Sequence, residues 1–198
     1  MEVITGSIEE RIIHASFDIL EKEGMNGATT KKIAQQANVS EVTLFRKFKN
    51  KQNLIETAKK YYYTNLLQKL EKIFDYEKDM EIEIYLKTCL DKTINLTENE
   101  LNLIKIGMEE VRNIPIEDKI FPKINETITN KLTEFFTIKI KQNEIKNINP
   151  EILSLSIFSI IFEAMLLWKV YGKTPKYSIH KYSEDFLDII LNGIKSDV

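Results

Sequence analysis

The sequence predicts an all-α protein, a small three-helix unit at the N-terminus followed by a larger helical one, with about nine helices in all. Three observations carry that reading. Only six Gly and four Pro among 198 residues leave long stretches free to be helical. Apolar residues recur at three- and four-residue spacing along most of the chain. Residues 29–51, TTKKIAQQANVSEVTLFRKFKNK, set two short amphipathic segments around a tight turn, the pattern of a helix-turn-helix. At 43% hydrophobic and 10% aromatic, the chain has enough apolar surface for one sizeable core and a small appended one.

Taken in order, a first helix, IIHASFDILEKEG, is followed by a short one that begins at Thr30. The Thr30 hydroxyl is expected to cap it, while Ile33, Ala34 and Ala37 form its apolar face. Ala34 is small enough to let a second helix cross closely. Asn38 then takes the turn, because Asn tolerates a positive φ, and Val39 fills the angle between the helices. Ser40 caps the second short helix, in which Val42 or Thr43, Leu44, Phe45 and Phe48 compete for the interior. Glu41, Thr43, Arg46 and Lys47 are able to face outward. A short helix with a polar, cationic outer face suits the major groove of DNA, and Glu41, Val42 and Thr43 in its first turn are placed to reach base edges.

Charge is distributed to match. Residues 31–60 hold eight Lys or Arg, Lys31 and Arg46 among them, against two Glu; that segment carries +6 in a chain whose net charge is −2. The other 168 residues therefore hold −8, which concentrates attraction to phosphate at one end of the chain. A solvated cationic face is the bland account of a charge run alone. Beside the helix-turn-helix pattern, DNA binding is the better one.

With these residues in view, the stretch from Arg11 to Ala58, through TTKKIAQQANVS, TLFRKFKNK and NLIETA, resembles the N-terminal domain of the tetracycline-repressor (TetR) family of transcription regulators. The resemblance implies an all-helical homodimer that binds a palindromic operator, represses, and leaves the operator when a small molecule enters the C-terminal domain. It implies that Thr30, Thr43, Phe45, Lys47 and Lys51 touch DNA, with Lys51 opening the fourth helix near a phosphate. The candidate DNA contacts together are Thr30, Lys31, Ser40, Glu41, Val42, Thr43, Phe45, Arg46, Lys47 and Lys51. Phe45 stands where the family usually has Tyr, which removes a hydroxyl from the expected phosphate contact, and Asn38 replaces a usual Gly. The domain boundary is expected at residues 50 and 51, with 51–198 forming the effector-binding and dimerisation domain.

Four helices are predicted between Lys51 and Asn149, at about 51–75, 79–96, 98–113 and 117–146. Thr97 or Asn99 caps the third, Pro115 follows it, and Pro122 marks either the true start of the fourth or a kink. The helix from Lys51 reaches the C-terminal core through Leu66, Leu67, Leu70 and Phe74, and is the expected lever between effector and DNA. Residues 152–171, ILSLSIFSIIFEAMLLWKVY, are long and apolar enough to span a bilayer, yet Glu163 sits at their middle and no second such segment exists. A helix buried on both faces, one against its own domain and one against a partner subunit, is the preferred reading. Ser156, Ser159 and Glu163 would form a polar ribbon between those faces. The last helix, roughly 178–194, offers Tyr182, Phe186, Ile189, Ile190 and Ile194 as the matching stripe, so homodimerisation is expected through segments near 150–171 and 178–194.

An apolar cavity for a small effector would be lined by Tyr62, Tyr85, Cys89, Met108, Phe121, Phe136, Phe162, Glu163 and Trp168, with Ile104, Phe135 and Met165 beside them. For each of these residues a filled core is the competing account. Glu163 needs a hydrogen bond, a cation or a raised pKa if it lies among apolar neighbours, and a hydrogen bond across the dimer is its alternative role. The lone Cys89 excludes an internal disulfide and reads as a buried small hydrophobe. His14 and His180 lie in no metal or nucleophile motif and no phosphate loop occurs, so neither an enzyme nor a cofactor is expected. The N-terminus, MEVITGSIEER, has no secretory character, which points to the cytoplasm and away from a membrane. The remaining alternative is a DNA-bound structural or partner-recruiting protein of the same fold with no inducer.

Overall fold

The computed structural model describes residues 6–109 and 119–194. Within them lie nine α-helices: α1 (Ile8–Gly27), α2 (Thr30–Gln36), α3 (Glu41–Phe48), α4 (Lys51–Ile73), α5 (Ile82–Ile94), α6 (Glu98–Glu109), α7 (Ile120–Lys141), α8 (Pro150–Met165) and α9 (Ile179–Ile194). A π-helical turn, Leu166–Val170, prolongs α8. Pro115 and the expected helix ends around it fall outside the described residues, as does the side chain of Ile194.

Packing divides the chain into two compact units, with the division between Asn65 and Leu66 falling inside α4. The N-terminal part of α4 stays with the first unit because aromatic rings hold it to α1. Tyr62 stacks on Phe17 with ring centres 3.9 Å apart, and its hydroxyl shares a 2.5 Å hydrogen bond with His14 Nδ1.

In this first unit α1 starts on a capping box, where the Ser7 hydroxyl accepts from Glu10 N at 3.2 Å and Ser7 N donates to the Glu10 carboxylate at 2.8 Å. Its helical path breaks at Gly24, whose φ of 69° suits a residue without Cβ. Ile12, Ala15 and Phe17 of α1, Ile33 and Ala34 of α2, Leu44 of α3 and Leu54, Ile55 and Ala58 of α4 are all buried. Two expectations are corrected here. Thr29, one residue earlier than expected, caps α2 by accepting from Lys32 N at 3.3 Å. In α3 only Leu44 and Phe48 are buried, while Val42 and Phe45 face out.

Asn38 takes the turn as expected, with φ of 53°, and Val39 N then closes onto Ala34 O at 2.9 Å. A left-handed residue with a Cβ costs about 1–2 kcal/mol unless its side chain tolerates the region, as Asn does. Asn38→Ala is therefore expected to lower stability by about 1 kcal/mol and Asn38→Gly to leave it level or raise it. Urea denaturation of the two variants checks the order.

The second unit is built on α8, which packs along α7 and against α5, with α9 also on α5. Asn149 caps α8, its side-chain oxygen accepting from Glu151 N at 2.8 Å and Ile152 N at 3.2 Å, and Pro150 follows at the first helical position. Pro122 sits in the first turn of α7 and marks its start, with no kink. That helix ends earlier than expected, because Asn143 adopts φ of 59° and Glu144 N bonds back to Lys139 O at 3.0 Å. Thr97 occupies the cap position of α6, its N–H donating to Glu100 at 2.7 Å. The side of Gly107 faces Ile120 so closely that a Cβ would collide with it, which lets α6 approach α7.

Tyr85, Leu86, Cys89, Ile124, Ile128, Leu132, Phe135, Phe136, Ile157 and Ile161 form the core. Lys139, only 2% exposed, crosses this core and ends on Glu144 at 2.9 Å, its ammonium also lying 5.7 Å from the Phe135 ring centre. The buried face of α8 carries Leu153, Ser154, Ile157, Phe158 and Ile161. Its opposite face leaves Ile152 66% and Leu155 52% exposed. Ser156, Ser159 and Glu163 are exposed on that open face too, so they lie within it and not as a ribbon between two buried faces. Both hydroxyls donate to their own helix, Ser156 to Ile152 O at 2.8 Å and Ser159 to Leu155 O at 2.7 Å. The stripe expected on α9 splits as well, Phe186 turning into the core while Ile189 stays 71% exposed.

Candidate nucleic-acid interface

The start of α3 is fixed by its own side chains. Ser40 accepts from Thr43 N at 3.1 Å and its hydroxyl lies 3.0 Å from that of Thr43. Thr30, at the first position of α2, donates to the Glu41 carboxylate at 2.9 Å and so ties the first turn of α2 to that of α3. These bonds orient both helices before any ligand arrives.

Around them, cations are held in two ways. Lys47 pairs with Glu9 at 3.1 Å, Lys32 pairs with Glu23, and Lys51 donates to the Met25 carbonyl at 2.9 Å. Half-exposed pairs of this kind are worth about 0–1 kcal/mol, so a phosphate that offers more displaces the acid at little cost. Lys31, Arg46, Lys49 and Lys60 are exposed and have no acidic partner within ion-pair distance among the described residues. Lys59 differs from the expected patch, being 7% exposed with Glu56 at 3.7 Å. The outer face of α3 also carries two apolar groups, Val42 at 78% exposure and Phe45 at 42%.

Ten residues were expected to contact DNA. Thr30, Ser40, Glu41 and Thr43 gather at the junction of α2 and α3; Val42, Phe45, Arg46 and Lys47 lie along α3. Lys31 follows Thr30 on α2, and Lys51 opens α4. Glu9 and the Met25 carbonyl, which hold two of the cations, escaped the sequence reading because both lie far along the chain from their partners. A second anchor of the same kind is Gln36, donating to Asp18 at 2.9 Å.

The nine residues expected around an effector do not converge. Tyr62 belongs to the first unit. Tyr85, Cys89 and Phe136 are fully packed in the core of the second, where Tyr85 donates to Phe74 O at 2.9 Å and Cys89 lies with Sγ 3.8 Å from Ile73 O. Burial pushes the Cys89 thiol up to about 12, which leaves no thiolate for redox chemistry. Phe121 and Phe162 meet edge to face at 4.9 Å and are half-buried, as is Met108. Glu163 is solvent-exposed, which removes the need for a buried partner. It lines an open hollow of about 350 Å³ with Trp168, Tyr177 and Tyr182. Among the described residues no group of three or more His, Cys, Asp or Glu is placed to hold a metal.

Two short helices locked at a tight turn, with an exposed cationic and apolar face on the second, define a DNA-reading helix-turn-helix protein. Residues 12–58 match the sequence model described as bacterial regulatory proteins, tetR family. The chain is similar to YvkB of Bacillus subtilis, named an uncharacterized HTH-type transcriptional regulator. Those two are 35% identical over 127 residues, 64% of this chain and 58% of that relative's length. A second relative, the fatty acid metabolism regulator protein of Bacillus subtilis, is 26% identical over 188 residues, 93% of this chain and 94% of its own. Among solved structures, the transcriptional regulator FadR from Bacillus subtilis in complex with stearoyl-CoA shares the fold. It superposes with a TM-score of 0.63 at 20% identity, over 93% of this chain and 98% of that one. The family and these relatives are regulators and not enzymes.

Proposed function

We propose that the chain is a homodimeric, cytoplasmic repressor that reads a palindromic operator and leaves it when a small apolar molecule binds the C-terminal unit. The observation that carries this reading is the outer face of α3, where exposed Arg46, Val42 and Phe45 stand on a helix start fixed by Ser40 and Glu41. Two copies related by a two-fold axis would present two such helices to half-sites about 34–36 Å apart. Similarity to a protein named for fatty acid metabolism supports an effector with a long apolar chain. In the second unit, the half-buried pair Phe121 and Phe162 is the place we assign to its entry, whereas Tyr85, Cys89 and Phe136 act as core.

Selection of genomic fragments by purified protein at two salt concentrations tests the DNA reading, and titration of the recovered complex with stearoyl-CoA tests the effector. Recovery of a two-fold symmetric site supports a specific regulator, and fragments that share no sequence and all wash off with salt overturn it. On the recovered site, Lys51→Ala is expected to weaken specific and scrambled DNA alike and to reduce the salt slope by about 1. Thr43→Ala is expected to change sequence preference instead. Equal losses on scrambled DNA for both variants would refute that division.

A further inference from the structure

Val42 stands out on the reading helix because it has no structural reason to be apolar. It is 78% exposed, more than any other large hydrophobic residue that the structure leaves open to solvent, and it occupies the second position of α3. Its neighbours on either side are engaged: the Glu41 carboxylate accepts from Thr30 at 2.9 Å, and the Thr43 hydroxyl lies 3.0 Å from that of Ser40. The isopropyl group is thus the unengaged tip of the first turn, the part of a recognition helix that meets base edges. It has no donor or acceptor to offer. In the major groove the apolar group that projects toward such a side chain is the C5-methyl of thymine; cytosine offers only a C5–H at the same place, and the purine edges present mainly hydrogen-bonding atoms.

From this exposure we infer that Val42 is a specificity-determining residue that selects thymine, through its methyl group, at one position in each operator half-site. The inference rests on DNA being read through α3 and adds the base class that this position recognises. Phe45, 42% exposed one turn further along α3, is the obvious rival for the same contact and serves as the control.

The test is a uracil scan of the selected operator, in which each thymine pair, taken symmetrically in both half-sites, is replaced by deoxyuridine. Pairing is kept and only the methyl is lost. Burial of one methyl corresponds to about fourfold in affinity, so loss of both is expected to weaken wild-type binding by about 16-fold at one symmetric position. Val42→Ala, at an exposed site and with a better helix former, is expected to fold normally and to bind the thymine and uracil operators equally. Phe45→Ala is expected to keep the contrast. In a complementary pair of operators, cytosine at that position should bind more weakly than 5-methylcytosine. Absence of any uracil-sensitive position overturns the inference while leaving specific DNA binding intact. So does a contrast that survives in Val42→Ala or disappears in Phe45→Ala. Loss of specific binding to the unmodified site would instead sink the regulator reading, and this inference with it.

Discussion

Phe135→Ala is expected to destabilise the C-terminal unit by about 3–5 kcal/mol, the range for deleting a fully buried aromatic ring. Phe135 is 0% exposed and sits at the centre of a ring cluster. Its ring centre lies 4.0 Å from that of Tyr85, 5.3 Å from Tyr76 and 5.6 Å from Phe136. The Lys139 ammonium lies over it at 5.7 Å, and that lysine is itself buried. Removing the ring therefore opens a cavity and strips one face from a desolvated cation. For a unit of this size the loss corresponds to a fall in Tm of roughly 10–20 °C. Phe135→Leu, which keeps most of the volume, should cost less than half as much. Calorimetry on the two variants distinguishes a packed core from an effector site. A cost below about 1 kcal/mol for the alanine would mean that the cluster is already loosely filled, and that Tyr85, Cys89 and Phe136 belong to a ligand cavity after all.

That distinction was out of reach of the sequence, and the reason is physical. Aromatic and apolar residues at helical spacing say that a face is buried, but the same stripe serves a filled core and a lined cavity. The helix-turn-helix was legible because its signals are local: a small residue at Ala34, an Asn at the turn and a cap at Ser40 act on neighbours within a few positions. Even there the cap of α2 was misplaced by one residue, since Thr29 and Thr30 are chemically alike and only the backbone decides between them. Glu163 shows the opposite failure. Its apolar sequence neighbours suggested burial, yet on a helix those neighbours point elsewhere, and the carboxylate faces solvent beside Ser159. Long-range polar pairs such as Glu9 with Lys47 leave no trace in a single sequence.

The combined variant Ile152→Glu, Ile189→Glu is expected to convert the proposed homodimer into a monomer of 23.2 kDa without unfolding it. In the single chain Ile152 is 66% exposed and Ile189 71%, so neither carboxylate would be buried within its own subunit. The open faces of α8 and α9 nonetheless collect Ile152, Leu155, Ile160 and Ile189. Ile160 and Ile189 also border a shallow apolar hollow of about 170 Å³ with Tyr177 and Tyr182. Apolar surface of this kind on two adjacent helices is what a two-fold four-helix contact consumes. Four carboxylates brought into such a contact would be desolvated without partners, which costs several kcal/mol. Analytical ultracentrifugation reads the mass, and circular dichroism confirms that the helices persist. Operator affinity should fall by about 10²-fold or more, because the second half-site is no longer held at high effective concentration, while affinity for an isolated half-site stays unchanged. A variant that remains dimeric would place the subunit interface elsewhere, and a monomer that binds the full operator as tightly as the parent would overturn the two-half-site reading.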